Sequence, residues 1–241
     1  MAGGYYIALS GMRARLEALD RLAADIANVG TAGYKSERAT TAQADRADFG
    51  ASLQAAIDVG DGPSRVDHRA GALAPTGRDL DVAIDGPGMF AIETPSGTRY
   101  TRDGRFVRRP DGALATAKGM AVLNDLGKPL MIGKTGLARI DADGTARNDG
   151  VSVGQLKIVE FKNPEALVRE GTDQFRSDRE AGTPAVDSVI QPASLELSNV
   201  SVVDRIAELT NVSRNFENMQ KALSMLANDI DLRAITELGR R

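Results

Sequence analysis

The chain has 241 residues, enough to bury one large hydrophobic core or two small ones, and its 42% hydrophobic and 26% charged residues are ordinary for a soluble protein. A net charge of -3 and an aromatic content of 4% without Trp argue against binding to nucleic acid or to an anionic membrane. The absence of Cys excludes a disulfide framework and thiolate metal sites.

The first predicted element is an amphipathic helix over residues 10–26, a segment rich in Ala, Leu, Arg and Glu. Apolar residues of this region recur at alternating spacings of four and three, which places them along one seam of a helix. They are Tyr5, Leu9, Met12, Leu16, Leu19, Ala23 and Ile26. The helix is expected to end near Asn28, and Gly33 provides a second break suited to a positive φ.

Residues 36–79 are polar and rich in Ala and Gly, and we interpret them as an extended linker. From Leu80 onward, short apolar runs alternate with turn signals through a predicted central domain at 80–192, of which 163–192 is a loop-rich return. The turn signals are Pro95-Ser96-Gly97, Asp103-Gly104, Asp111-Gly112, Asn124-Asp125, Asp143-Gly144 and Asp149-Gly150. Asp-Gly pairs between strand-like residues favour tight hairpins, so this domain is predicted to be antiparallel and mostly β.

A second helix is predicted within 193–241, with Ser201 as a candidate N-cap and an end near Leu238. Its apolar residues again alternate between spacings of three and four, and they are Leu209, Val212, Phe216, Met219, Leu223, Leu226 and Ile230. The predicted organisation is thus a helical segment at 1–35, the linker, the β domain and the C-terminal helix.

Each heptad row buries about seven side chains, which is too little apolar surface to offset the conformational entropy of ordering a helix of about 30 residues. The two predicted helices therefore need partners, which are either each other or neighbouring copies of the chain. We therefore expect assembly, and not catalysis, as the function.

Candidate catalytic and metal-binding residues are few. His68 is the single histidine, and its position in a Gly- and Pro-rich segment favours a solvated linker residue over a catalytic base. The run 141–145 lacks the Gly and Glu of a calcium loop and is interpreted as a β-turn. Asp79, Asp81 and Asp85 are interpreted as turn and strand-end acids, because a sugar-cleaving groove would be lined by aromatic residues. We predict no catalytic residue, no cofactor and no metal site, and hence no enzyme.

Three blocks of sequence stand out as motifs. The N-terminal block is 10–14, 19–20 and 26–35, with Asn28, Thr31, Gly33, Tyr34 and Lys35; the central block is 80–90 with 100–106; the C-terminal block is 195–203, with Ser198, Asn199 and Val200, and 214–221. These blocks, in this order, resemble the family of bacterial flagellar rod and hook proteins, whose N-terminal pattern is Ala-Asn-x-x-Thr-x-Gly-Phe/Tyr-Lys. One departure is Gln191-Pro192-Ala193-Ser194, where the family tends to have Gln-Gly.

The resemblance implies an α+β fold in which the N- and C-terminal helices pair as an antiparallel coiled coil and the central domain is mostly antiparallel β. The heptad residues would then form seams between subunits. Asn28, Thr31 and Gly33 would shape the turn that ends the first helix, while Ser198 and Asn199 would shape the entry to the last one.

The resemblance also implies a structural subunit of the flagellar rod that polymerises helically through its terminal helices and transmits torque across the periplasm. The chain length and the short segment at 36–79 favour the proximal rod. A distal rod or hook subunit of the same family is the alternative, and a cell-wall hydrolase is the alternative of another class.

The partners implied by the resemblance are copies of the chain itself, other proximal and distal rod proteins, and the flagellar type III export apparatus, with no nucleic acid and no membrane insertion. Export without a cleaved signal peptide agrees with the first six residues, which lack a basic start and an apolar stretch. The expected location is the periplasmic rod of the basal body.

Overall fold

The computed structural model describes residues 2–39, 64–178, 182–185 and 188–238. These residues form two α-helices, α1 (Ala2–Ala27) and α2 (Val202–Leu238), and eighteen β-strands between them in the chain. Residues 40–63 of the predicted linker lie outside the described part of the chain.

The first nine strands are β1 (Glu37–Ala39), β2 (Ser64–Val66), β3 (Leu73–Pro75), β4 (Val82–Asp85), β5 (Met89–Thr94), β6 (Gly97–Thr101), β7 (Phe106–Arg108), β8 (Leu114–Thr116) and β9 (Ala121–Val122). The other nine are β10 (Ala138–Ile140), β11 (Thr145–Asn148), β12 (Val151–Gln155), β13 (Ile158–Glu160), β14 (Val168–Glu170), β15 (Gln174–Arg176), β16 (Thr183–Pro184), β17 (Val189–Pro192) and β18 (Ser194–Glu196). A short 3₁₀ helix spans Pro164–Ala166.

The residues group into two compact units. Among the described residues, the first comprises 2–27, 37–39, 64–65 and 201–238, and the second comprises 28–36, 66–178, 182–185 and 188–200. The first unit contains both helices, and no helix among the described residues is long and apolar enough to cross a bilayer.

The second unit, which we call the β body, is built around one large antiparallel sheet. Its strand order is β14-β15-β6-β5-β9-β8-β7, and β13 pairs with β5 and β16. A separate sheet has the order β10-β11-β12. Hairpins predicted from the sequence are confirmed at Pro95-Ser96-Gly97, Asp111-Gly112, Asp143-Gly144 and Asp149-Gly150, where consecutive strands pair directly.

Two short ladders bring the end of the β body back to its beginning. β17 pairs with β4, with Ile190 opposite Ile84, and β18 pairs with β3, with Leu195 opposite Ala74. Segments more than 100 residues apart in the chain, such as those of Ile84 and Ile190, therefore lie side by side.

The hydrophobic core of the β body has two clusters. The larger one takes residues from eight strands and from the loops between them, and its aromatic pair Phe90 and Phe106 meets edge to face at 5.1 Å between ring centroids. The smaller cluster contains Met89, Val159, Phe161, Leu167 and Phe175. Alternating strand residues thus form the core against which the segments 33–36 and 196–199 are held.

The predicted α+β class is wrong, because the described part of the chain is mostly β with two α-helices. The sequence underestimated the strands: the stretch 163–192, expected to be loop-rich, contains β14 to β17. The predicted coiled coil is wrong in extent, because the two helices pack against each other over a short contact and not along the full heptad rows. Among the described side chains, the buried contact between the helices is a small cluster of Ala18, Leu22 and Val212.

Candidate functional site

A small cluster of apolar side chains forms the contact between α1 and α2. Ala14, Ala18 and Leu22 are buried and recur every four residues, so they lie on one face of α1. Ala18 and Leu22 pack with Val212 of α2. Two half-buried residues border this cluster: Leu19 and Leu209. Ala14 and Ala18 lie outside the predicted heptad row, which consists of larger apolar residues, although their spacing of four is visible in the sequence.

Contacts at the two ends of the helix pair show that the helices run antiparallel. A Cβ placed on Gly11 would lie 3.5 Å from the Met219 side chain. Further along α1, the fully buried Asp25 forms an ion pair with Arg205, with 3.1 Å between Arg205 Nε and Asp25 Oδ2. Asp25 also accepts a hydrogen bond of 3.4 Å from the Glu37 backbone N–H. A buried carboxylate with these partners fixes the end of α1 against the start of α2.

The predicted seam residues occupy several environments. Leu19, Leu209 and Val212 are brought together in the helix contact, whereas Leu16 is 47% exposed and Ala23 is also exposed. Four seam residues are half-buried: Met12, Ile26, Phe216 and Met219. Five lie on helical backbone, but their side chains are outside the described part of the chain: Tyr5, Leu9, Leu223, Leu226 and Ile230.

The family-motif residues converge within the β body. Gly33 donates its backbone N–H to the carbonyl of Glu196 at 2.8 Å, and Asn199 donates its N–H to the carbonyl of Tyr34 at 3.3 Å. Ser36 donates its N–H to Asn199 Oδ1 at 2.7 Å. We call Gly33–Ser36 together with Glu196–Asn199 the terminal clamp, because it joins the segment that follows α1 to the segment that precedes α2.

A buried ion pair lies at the centre of the terminal clamp. Lys35 and Glu196 are 1% exposed each, and Lys35 Nζ lies 2.5 Å from Glu196 Oε1. Lys35 also donates to the carbonyl of Arg69 at 2.8 Å. Burial lowers the pKa of the Lys35 ammonium, while the charge of Glu196 and the hydrogen bond to it act in the opposite direction.

Glu196 has a second cationic partner. Arg102 Nη1 lies 3.2 Å from Glu196 Oε2, and Gly71 donates its backbone N–H to Oε1 at 2.9 Å. Arg102 also donates to the carbonyls of Ile84 at 3.1 Å and Gly86 at 2.5 Å. Burial lowers the pKa of the Arg102 guanidinium, and Glu196 opposes that effect. Glu196 thus accepts from three donors, two of which are cations, and a buried carboxylate is tolerated in such an arrangement.

Asn199 connects the terminal clamp to the chain around Asp67. Its Nδ2 donates to the carbonyls of Asp67 at 2.8 Å and Arg69 at 3.1 Å, while its Oδ1 accepts from Ser36. One amide side chain therefore makes three hydrogen bonds to three separate backbone groups. Such a residue is difficult to replace, because each lost bond leaves a backbone group to be satisfied in another way.

Arg169 of β14 covers the N-terminal half of the terminal clamp. Its guanidinium lies 4.8 Å from the centroid of the Tyr34 ring and 5.5 Å from that of Phe175. It donates to the carbonyl of Lys35 and, at 2.9 Å, to that of Thr172. The hairpin of β14 and β15 thereby holds the motif segment by both stacking and hydrogen bonds.

Gly33 allows the motif segment to approach the rest of the β body. Its φ is +68°, and a Cβ there would lie 2.4 Å from backbone atoms of Arg102 and Asp103. Both observations require glycine at this position. The positive φ expected from the sequence is present.

The remaining motif residues shape local turns. Thr31 donates its backbone N–H to the carbonyl of Asn28 at 3.0 Å and its hydroxyl to Asn28 Oδ1 at 3.2 Å. Ser198 Oγ accepts from the N–H of Val200 at 3.3 Å. At the start of α2, Ser201 Oγ accepts from the N–H of Asp204 at 3.5 Å, in the position of an N-cap.

His68 belongs to this region and was misread as a solvated linker residue. Its ring is half-buried and lies 5.5 Å from the Phe175 ring between centroids. The other partners that sequence reasoning missed are Glu196, Arg102, Arg169 and Asp67. In the part of the chain that the structure describes, no group of three or more His, Asp and Glu side chains could hold a metal ion.

Comparison with known proteins agrees with these motifs. The family model described as "Flagellar hook protein FlgE/F/G D1 domain" matches residues 83–154, and the one described as "Flagellar basal body rod FlgEFG protein C-terminal" matches residues 191–231. The chain is 31% identical over 247 residues to the flagellar basal-body rod protein FlgF of Caulobacter vibrioides, which covers 100% of this chain and 99% of that relative.

Two further relatives are similar over their full lengths. FlgF of Mesorhizobium japonicum is 33% identical over 244 residues, and FlgG of Bacillus subtilis is 32% identical over 270 residues, with 100% of each chain covered in both cases. The resemblance inferred from the three sequence blocks is thereby confirmed. The chain belongs to the family of flagellar basal-body rod proteins, as a member of FlgF type with FlgG as a close relative.

Proposed function

We propose that this chain is a structural subunit of the flagellar proximal rod, which polymerises helically through its terminal helices and transmits torque across the periplasm. The observation that carries the proposal is the similarity to FlgF proteins over the whole chain, including both terminal segments. A structural subunit needs no catalytic centre, and the buried charges of the terminal clamp act on one another rather than on a substrate.

Exposed apolar side chains on the two helices support assembly through them. Leu16 of α1 is 47% exposed, and on α2 the exposed fractions are 78% for Val203, 50% for Ile206 and 69% for Met225. When another copy covers a helix surface with such residues, the burial is favourable by about 25 cal/mol for each Å² of apolar surface removed from water. Copies of the same chain are the proposed partners at this surface.

The terminal clamp supports a role in carrying force. The segment that follows α1 and the segment that precedes α2 are bonded to each other by Lys35, Glu196 and Asn199. Tension on either segment is therefore resisted by the same buried cluster, rather than by a flexible loop. Buried, fully bonded polar groups are rigid because each alternative arrangement leaves a charge unpaired.

The proposed location is the periplasmic rod of the basal body, and the proposed partners are other rod proteins above and below the subunit. The proposed route is the flagellar type III export apparatus, without a cleaved signal peptide. These details deepen the coarser assignment to the basal body that the relatives' names support.

Removal of the gene followed by complementation tests the proposal. We expect the deletion strain to be non-motile and its purified basal bodies to lack a complete rod, and the unaltered gene to restore both. Leu16→Asp should fail to restore motility while the purified variant stays folded, because it places a carboxylate on the exposed apolar surface. Arg15→Asp, one residue away at an exposed polar position, is the matched control and should restore motility. Normal motility of the deletion strain would contradict the proposal.

The distal rod is a second candidate location. The similarity to FlgG of Bacillus subtilis covers 100% of both chains at 32% identity, which is within the range seen for the FlgF relatives. Electron microscopy of basal bodies that carry a labelled copy of the chain distinguishes the two locations. Density for the label near the membrane-proximal end supports the proximal rod, and density at the far end supports the distal rod.

A further inference from the structure

The side chain of His68 occupies an unusual position beside the terminal clamp. The ring is half-buried against Phe175. Both ring nitrogens are shielded from solvent, and neither has a hydrogen-bond partner among the residues that the structure describes. A neutral imidazole tolerates this environment at moderate cost, whereas an imidazolium would have two buried N–H donors without acceptors.

The charges that face the ring are mostly positive and come from different parts of the fold. Lys35 lies in the motif segment, Arg102 follows β6, and Arg169 belongs to β14. Asp67, in the segment that carries His68, is the acidic group acting on the ring, and its carboxylate is already bound by the Arg69 guanidinium at 2.7 Å.

Glu196, the other carboxylate of this cluster, is also paired with cations already. Its two oxygens are taken by Lys35 at 2.5 Å and Arg102 at 3.2 Å. A proton added to His68 therefore meets three cations, while both nearby carboxylates already have cationic partners. The local charge balance makes a cationic ring costly.

We propose that His68 is an acid-sensitive element beside the terminal clamp: the neutral ring packs on Phe175 next to the clamp, and protonation of the ring opens the clamp. The route to the clamp is Asn199, whose Nδ2 donates to the backbone carbonyls of the two neighbours of His68, Asp67 and Arg69. The bonds of Asn199 to the segment 33–36 are therefore the contacts that protonation weakens. The role concerns the stability of one joint in the protein and goes beyond its function as a rod subunit.

Burial, together with the charges of Lys35, Arg102 and Arg169, lowers the pKa of His68 from 6.5 to about 4. The unfolded chain therefore binds the proton as the pH falls through 6.5, whereas the folded chain resists binding it until about pH 4. The stabilising contribution is complete above pH 6.5 and is lost as the pH falls from there to about 4. The full difference between the pKa of 6.5 in the unfolded chain and about 4 in the folded chain corresponds to a loss of about 300-fold in the folding equilibrium.

The single histidine makes the experiment direct, because its ring signals in an NMR titration of the full chain need no assignment among alternatives. We expect the ring of the folded protein to stay neutral until close to pH 4. We also expect the backbone amides of Gly33 and Asn199 to exchange faster in acid, after correction for the intrinsic pH dependence of exchange. A ring that titrates near pH 6.5 in the folded protein, or amides that keep their protection while the ring titrates, would overturn the proposal.

The variant His68→Phe separates this effect from the titration of carboxylates elsewhere, because Phe fills the space of the ring and cannot bind a proton. Urea unfolding of both proteins near neutral pH and near pH 4.5 should show an extra loss in the unaltered chain, on the order of 100-fold in the folding equilibrium. Equal losses in the two proteins contradict the proposal. If His68→Phe does not fold, the ring titration of the unaltered chain decides the question without it.

Discussion

Lys35 and Glu196 lie 161 positions apart in the chain, yet their charged groups meet at 2.5 Å and both side chains are fully buried. One belongs to the segment after the first helix, and the other to the segment before the last helix. The pair closes the β body, because it joins the beginning and the end of that unit. The motif residues on each side are thus partners in one structure rather than two separate helix caps.

The first prediction concerns this ion pair. Lys35→Met removes the ammonium and keeps most of the side-chain volume, so Glu196 loses one of its two cationic partners within a buried site. We expect a loss of about 3–5 kcal/mol in the free energy of unfolding, because a buried charge is left incompletely compensated. Lys128→Met, at an exposed position, should change stability by less than about 0.5 kcal/mol.

A double-mutant cycle with Glu196→Gln makes this first prediction specific to the pair. Each single variant leaves a buried group short of a partner. The double variant should therefore lose clearly less unfolding free energy than the sum of the two single losses. Urea denaturation of the four proteins measures the coupling. Strictly additive losses would show that Lys35 and Glu196 do not depend on each other.

The second prediction concerns Gly33, which combines a φ of +68° with close contact to the backbone of Arg102 and Asp103. In Gly33→Ala, the positive φ alone costs about 1–2 kcal/mol, and the displaced backbone adds to that cost. Gly30→Ala is the control, because a Cβ at Gly30 would meet nothing within 4 Å. Thermal unfolding should show a clear decrease for Gly33→Ala and almost none for Gly30→Ala; similar decreases would contradict the argument.

Local sequence signals predicted the parts of the fold that depend on neighbouring residues. The Asp149-Gly150 pair forms a hairpin between β11 and β12, with φ values of 50° and 83°, because the residues that make the turn are adjacent. The strands after residue 163 lack such strong turn signals, and β17 is defined by its pairing with the distant β4. This is why the fold class was misjudged.

The terminal clamp could not be predicted from local pattern. In Leu195-Glu196-Leu197, alternation suggests that the leucines face the core and the glutamate faces solvent. The structure is the reverse: Glu196 is 1% exposed and Leu197 is 45% exposed. The distant partners Lys35, Arg102 and Gly71 make that burial favourable, and a sequence does not reveal them.

The third prediction separates the contact between the helices from the surface proposed for assembly. Ala18 is 5% exposed and packs on Val212, whereas Leu16 is 47% exposed two residues earlier. Ala18→Asp buries a carboxylate and should cost at least about 2 kcal/mol in helix stability, while Leu16→Asp should have little effect on the monomer. Far-UV circular dichroism of the purified chain measures both. Equal loss of helix in the two variants would show that Leu16 also belongs to the interhelical contact.

The fourth prediction is a stabilising change at Ala193, where the family tends to have glycine nearby. Ala193 has a φ of 51°, a conformation that L-residues other than Asn and Asp rarely adopt, and its carbonyl accepts backbone hydrogen bonds from Thr76 at 2.8 Å and Gly77 at 3.2 Å. These bonds hold the strained conformation in place. We expect Ala193→Gly to raise the free energy of unfolding by about 1 kcal/mol, because the strain of the Cβ is removed while both bonds remain.

Ala142→Gly is the matched control for this fourth prediction. Ala142 is exposed and is not among the described residues with positive φ, so glycine there gains no relief of strain and increases the entropy of the unfolded chain. It should lower stability by about 0.4–1 kcal/mol. Urea unfolding of the two variants should therefore give changes of opposite sign. A loss of stability in Ala193→Gly as large as that in Ala142→Gly would mean that the conformation at Ala193 carries no strain.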